Sequence, residues 1–132
     1  MTLELASVVG LLMSVEASPD VLAENIAAYR AQESLSRAAA DDLIAKYVAL
    51  EFVRGELSYA DADVAMNNLV SLDAHGFDYA GFAYQVYLHF DNGEYRRPSD
   101  PEDSIPWQQY TLPGVMALLK ERGIDIWLWP PV

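Results

Sequence analysis

The chain has no cysteine. Disulfides, thiolate nucleophiles, zinc–thiolate sites and iron–sulfur clusters are therefore excluded. The usual mark of a small secreted domain is missing too. Positive charge is scarce: 8 Lys and Arg face 20 Asp and Glu, for a net charge of −12. A field of that sign repels phosphate backbones and anionic lipid, so neither nucleic acid nor a membrane is an expected partner. No Lys or Arg precedes Arg30, which does not suit the basic start of a signal peptide. The apolar stretch Ala6–Val15 falls well short of the about 20 residues that a spanning helix needs. The chain is read as cytoplasmic and unprocessed.

Catalytic and cofactor motifs are also lacking. There is no Gly-x-Ser-x-Gly, no Gly-x-x-x-x-Gly-Lys and no Gly-x-Gly-x-x-Gly, so the nucleophile elbow, the phosphate loop and the dinucleotide site have no support. The paired Glu-x-x-His of a di-iron bundle does not occur, and Asp91-Asn92-Gly93-Glu94 lacks the spacing of a calcium-binding loop. No cofactor and no metal are expected, and no residue reaches a catalytic assignment.

What is present is ample core. Apolar residues make up 52% of the 132 residues, with 8 Tyr, 4 Phe and 3 Trp. That suffices for one domain spanning 1–132. Leu3–Val15 reads as a first, buried helix. Ser18-Pro19-Asp20 is a start signal, with a cap, a proline at the first helical position and an acid at the dipole's positive end; this helix runs to about Gln32. Ser34 or Ser36 caps the next, in which Leu43, Tyr47, Leu50 and Val53 recur at helical spacing until Arg54-Gly55 closes it. Ser58 opens a fourth helix closed by Gly76. Asp78 caps a fifth, over 78–90, whose apolar residues surround nearly the whole circumference and mark it as the central helix. The turn at Gly76 predicts that these two form an antiparallel hairpin. Asp91-Asn92-Gly93 stops it.

From Tyr95 to Pro106 three prolines impose a loop, anchored by Ile105, Trp107 and Tyr110. Thr111-Leu112-Pro113 starts the last helix and Arg122-Gly123 ends it. The tail Ile124–Val132 reads as a short extended segment, with Trp127 and Trp129 on one face; a small two-stranded contact with Leu3–Leu5 is one place for it. The expected fold is all-α, a bundle of five to six helices with a Pro-rich loop and a short extended C-terminal tail.

Two groups of residues stand out. His75 and His89 lie near helix C-termini, where imidazoles complement the dipole; about 18 Å of helix between them rules out a shared metal. The acidic pairs Asp41-Asp42 and Asp61/Asp63 read as helix caps and solvated faces. Between Arg54 and Arg96 no Lys or Arg occurs, while seven Asp and Glu do. That interval reads either as a solubility device or as a surface that docks a basic partner. The first functional reading is thus a non-catalytic acidic binding module, an inhibitor or immunity-type partner of a basic protein, with Tyr95 ringed by Glu94 and Asp91. The alternative is a small-ligand or enzymatic pocket where the central helix meets the Pro-rich loop, using His89, Asp91, Glu94, Arg96, Arg97 and Tyr110. The tail, with Trp127 and Trp129, folds across its own bundle or buries itself in a homodimer.

Overall fold

The computed structural model describes residues 2–72 and 75–127. Among them are helices α1 (Leu5–Leu12), α2 (Pro19–Glu33), α3 (Arg37–Val53), α4 (Tyr59–Ser71), α5 (Phe82–Asn92) and α6 (Leu112–Glu121), with a wide π-helical turn, Trp107–Thr111, leading into α6. These residues contain no strand. The all-α bundle expected from the sequence is the fold observed.

The three serine caps are where local chemistry places them. Ser18, Ser36 and Ser58 accept the N–H groups of Val21, Ala39 and Asp61 at 3.3, 3.1 and 3.1 Å. Ser34, the alternative cap for α3, instead closes α2 in the left-handed region, at φ 55°. Gly55 and Gly123 follow α3 and α6 at φ 81° and 70°, the closing role expected of them.

The central helix is α3, not α5. Ala40, Ile44, Ala45, Val48, Ala49 and Leu50 of α3 are fully buried, and α3 touches α1, α2, α4, α5 and α6. Its alanines let neighbouring helices approach closely. On α5 only Phe82, Ala83, Val86 and Phe90 are buried, and Leu88 is exposed. Tyr84 and Tyr87 are only partly buried, so an apolar circumference did not make α5 the centre.

Several expected helix ends differ, each for an identifiable reason. Helix α1 stops at Leu12, whose carbonyl accepts Asn68 Nδ2 from α4 at 2.8 Å. Helix α4 stops at Ser71 rather than at Gly76; at its end the Asn68 carbonyl accepts both the Leu72 N–H at 3.2 Å and the Ser71 hydroxyl at 3.1 Å. The link to α5 is therefore longer than a tight turn. Tyr59 at the start of α4 still reaches Phe90 near the end of α5, donating its hydroxyl to the Phe90 carbonyl at 2.7 Å. Asp78 does not cap α5; its carboxylate accepts the Ala80 N–H at 3.0 Å and holds a turn. The cap comes from α3 instead, where Asp42 Oδ1 accepts the Ala83 N–H at 3.0 Å.

Thr111 is likewise no cap. The last helical segment starts at Trp107, and the buried Thr111 donates its hydroxyl to the His89 carbonyl at 2.7 Å. Pro113 has no N–H to return to the preceding turn, and the chain widens into the π-helical turn there. The backbone of Leu3 pairs with the Gln32 side-chain amide in both directions, at 2.7 Å each. Of the tail, 124–127 are described, and they turn at Ile126–Trp127, where Asp125 accepts the Trp127 N–H at 2.9 Å; the rest of the expected extended segment lies outside the described residues. Ile124 and Ile126 pack on the core, Arg54 Nε donates to the Ile126 carbonyl, and Trp127 faces outward, 75% exposed. Trp129 lies outside the described residues.

Candidate functional site

The Pro-rich loop gathers the residues that the sequence singled out, but most of them bond to the loop itself. Arg97 lies over the rings of Tyr110 and Tyr95, at 3.8 and 4.7 Å from their centroids. Its guanidinium donates to the carbonyls of Asn92 and Tyr95 at 2.7 and 3.2 Å. Asp100 accepts the Arg97 backbone N–H at 2.9 Å, the Tyr110 hydroxyl, and Gln109 Nε2 at 3.3 Å. The Tyr110 hydroxyl and the Arg97 amide hold the Asp100 carboxyl below its ordinary value. Arg96 reaches the Pro101 carbonyl at 3.4 Å. A stacked arginine and a carboxylate with three donors fix a loop that has no ladder of its own.

Aromatic packing seats that loop on the bundle. Trp107 stacks on Tyr59, with centroids 5.9 Å apart and planes 6° from parallel. Phe52 meets Trp107 and Phe90 edge-on, at 5.7 and 4.9 Å. Two glycines permit the close approach behind it. A Cβ at Gly93 would lie 2.0 Å from Thr111 Oγ1, and one at Gly114 would lie 2.3 Å from His89 Nδ1. His89 is thus wedged against α6. Burial pushes its imidazole below the ordinary value, which disfavours the charged form that would complement the dipole.

Asp91 and Glu94 turn to a different place, the seam between α4 and α5. There they meet Asp63, which the sequence reading treated as a solvated helix residue. Asn67 Nδ2 donates to Glu94 Oε2 at 3.3 Å. Asp63 is hydrogen-bonded to Glu94 and is pushed up to about 7, first by burial, then by that bond and by the negative charges of Glu94 and Asp91. Burial together with the same carboxylates raises the Tyr59 hydroxyl well above its usual value, and the Tyr87 hydroxyl as well.

Tyr87 connects this acidic seam to an aromatic ladder. It stacks on Tyr84 at 5.5 Å, and Tyr84 meets Tyr79 edge-on at 4.8 Å. Tyr79 is half exposed. The spacing that carries the site was available in the sequence: Tyr59, Asp63 and Asn67 follow at steps of four on α4, as do Tyr87 and Asp91 on α5, so each set shares one helix face. What was missing was the knowledge that the two faces meet. Tyr95, expected to carry the acidic patch, has Arg97 over its ring instead.

No group of three His, Asp or Glu among the described residues is placed to hold a metal ion, and no helix among them is long and apolar enough to cross a membrane. Comparison with known protein families, with curated proteins and with solved structures finds no match.

Proposed function

We propose that the chain is a non-catalytic binding module that docks a basic partner protein on the seam between α4 and α5. The carrying observation is the placing of Asp63 against Glu94 and Asp91: Asp63 is pushed up to about 7, first by burial, then by its hydrogen bond to Glu94 and by the charges of Glu94 and Asp91. Carboxylates held together this way are destabilised by one another, and a Lys or Arg from a partner relieves that repulsion. The tyrosine ladder beside them supplies aromatic faces for the same cations and area for an apolar anchor. The net charge of −12 steers a basic partner toward the chain and makes association salt-sensitive. An inhibitor or immunity-type role toward a basic protein is the specific form of this reading.

The test is low-salt capture by the full chain and by a variant carrying Asp63→Asn, Asp91→Asn and Glu94→Gln. A basic protein retained by the first, released by salt and lost by the second supports the reading. Equal retention by both removes the seam from consideration, and failure to retain any basic protein removes the reading. Self-association through the tail is a second reading, motivated by the outward-facing Trp127. Light scattering of the full chain and of a chain ending at Gly123 separates a tail-dependent dimer from a monomer.

A further inference from the structure

Across the bundle from the acidic seam, a cleft of about 170 Å³ opens between α2, α3 and α4. Ile26, Leu69 and Leu72 form its apolar wall, with two alanines of α2 at its side, and its charged residues are Arg30, Arg37 and Asp41. The chain has only 8 Lys and Arg, yet two arginines line this one cleft.

The two arginines stand differently. Arg37 Nε donates to Asp41 Oδ2 at 3.3 Å, and its guanidinium lies 5.8 Å from the centroid of the Phe77 ring. Asp41 itself is buried, at 4% exposure, and is thereby committed to Arg37. Arg30 is held less tightly: its charge acts on Asp41, but its Nε is buried and has no hydrogen-bond partner. Native proteins rarely leave a buried donor unmet, because burial removes the water that would have satisfied it. A guanidinium presents its donors as a planar fork that matches a carboxylate. An apolar cavity of roughly 150 Å³ is large enough to take a benzene ring, so the volume here fits one small ring or a short branched chain.

We propose that this cleft is a binding site for a small organic carboxylate, with the carboxylate on Arg30 and the apolar body against Ile26, Leu69 and Leu72. Asp41 takes its direct bond from Arg37 and acts on Arg30 only through its charge, so the ligand's carboxylate is the hydrogen-bond partner for Arg30. The site is separate from the α4–α5 seam, and its fate does not depend on the docking reading.

Benzoate is the probe, followed by nuclear magnetic resonance of the backbone amides of the full chain. Saturable shifts at Ala27, Leu69 and Leu72 are expected. Benzyl alcohol, which keeps the ring and loses the charge, should bind about tenfold or more weakly, the scale of one lost charged hydrogen bond. Inorganic phosphate, which has charge and no apolar body, should also bind more weakly. Arg30→Met keeps the stem and removes the donors, and should cost a similar factor. Ala27→Phe fills the cleft from its exposed side and should abolish binding even if Arg30→Met fails to fold. Absence of saturable shifts at these amides overturns the proposal. So does equal binding of benzyl alcohol, or benzoate binding unchanged by Ala27→Phe.

Discussion

Asp42 of α3 caps α5 from the side, its Oδ1 accepting the Ala83 backbone N–H at 3.0 Å. Helix α5 has no cap from its own preceding residue, Gly81, so one of its free N–H groups is satisfied by another helix. Asp42→Ala is expected to lower stability by about 1 kcal/mol, the usual cost of a lost cap. Asp42→Asn keeps an acceptor and should recover most of that loss. The measurement is the urea midpoint at constant slope, together with hydrogen exchange at Ala83, whose protection should fall first. A midpoint unmoved by Asp42→Ala would mean that the bond carries no weight in solution.

The contact between Gly114 and His89 is equally specific. A Cβ at Gly114 would lie 2.3 Å from His89 Nδ1, so Gly114→Ala forces α6 away from α5 or turns the imidazole out. Overpacking of this kind costs about 1–3 kcal/mol. The penalty should shrink in a background that also carries His89→Ala, since the clashing ring is then gone. A double-mutant cycle reads the difference as a coupling energy, expected to be about 1 kcal/mol or more. Purely additive losses would show that α6 is not held at this point.

These two contacts also explain what the sequence could and could not reveal. Ser18, Ser36, Ser58, Gly55 and Gly123 were legible because each acts on its own backbone within three residues. Asp78, Thr111 and Gly76 have the same local chemistry, yet Asp78 and Thr111 cap no helix and Gly76 closes none. Their competitors, Asp42 for α5 and Asn68 for α1, lie 41 and 56 residues from the groups they satisfy, and no local pattern announces them. Asp41 and Asp42, adjacent acids, looked like one solvated pair; α3's central place buries the first and aims the second at α5. The loop residues Arg96, Arg97 and Tyr110 were found together because they are close in sequence. Asp63 was missed because its partner Glu94 lies 31 residues on, in the segment just past α5.

Tyr110 and Asp100 give the loop its most direct reporter. The Tyr110 hydroxyl is the first cause of the lowered Asp100 value, ahead of the Arg97 amide. Tyr110→Phe keeps the ring under Arg97 and removes only the hydroxyl. The Asp100 carboxyl should then rise toward the ordinary aspartate value of about 3.9, as read from its carbon shift during an acid titration. Both groups are only partly buried and belong to the loop, so the urea midpoint should move little from that of the unaltered chain. An Asp100 titration identical in the two proteins would contradict the bond.

The carboxylates of the α4–α5 seam make the strongest statement about pH. Asp63 is pushed up to about 7, whereas an unfolded aspartate releases its proton near about 3.9. Between those values the folded chain holds a proton that the unfolded chain has lost. Stability from this group is therefore full below about pH 4, declines as pH rises to about 7, and is flat above that. Asp41, raised to about 6 chiefly by burial, adds a slope of the same sign. Solvent reaches part of the Asp63 carboxyl, and screening keeps its contribution to about 1 kcal/mol. Asp63→Asn preserves a donor toward Glu94 and removes the titration. It should raise stability at pH 8 by about that amount, leave it little changed at pH 4, and reduce the slope between. The Asp41 contribution is common to both proteins, so the difference between their urea midpoints across pH isolates Asp63. A basic partner seated on the seam should act on the same group, drawing the proton from Asp63 as it binds, so that binding in the range between pH 6 and 7 releases protons to the buffer. Binding of such a partner with no proton release would place it elsewhere on the surface.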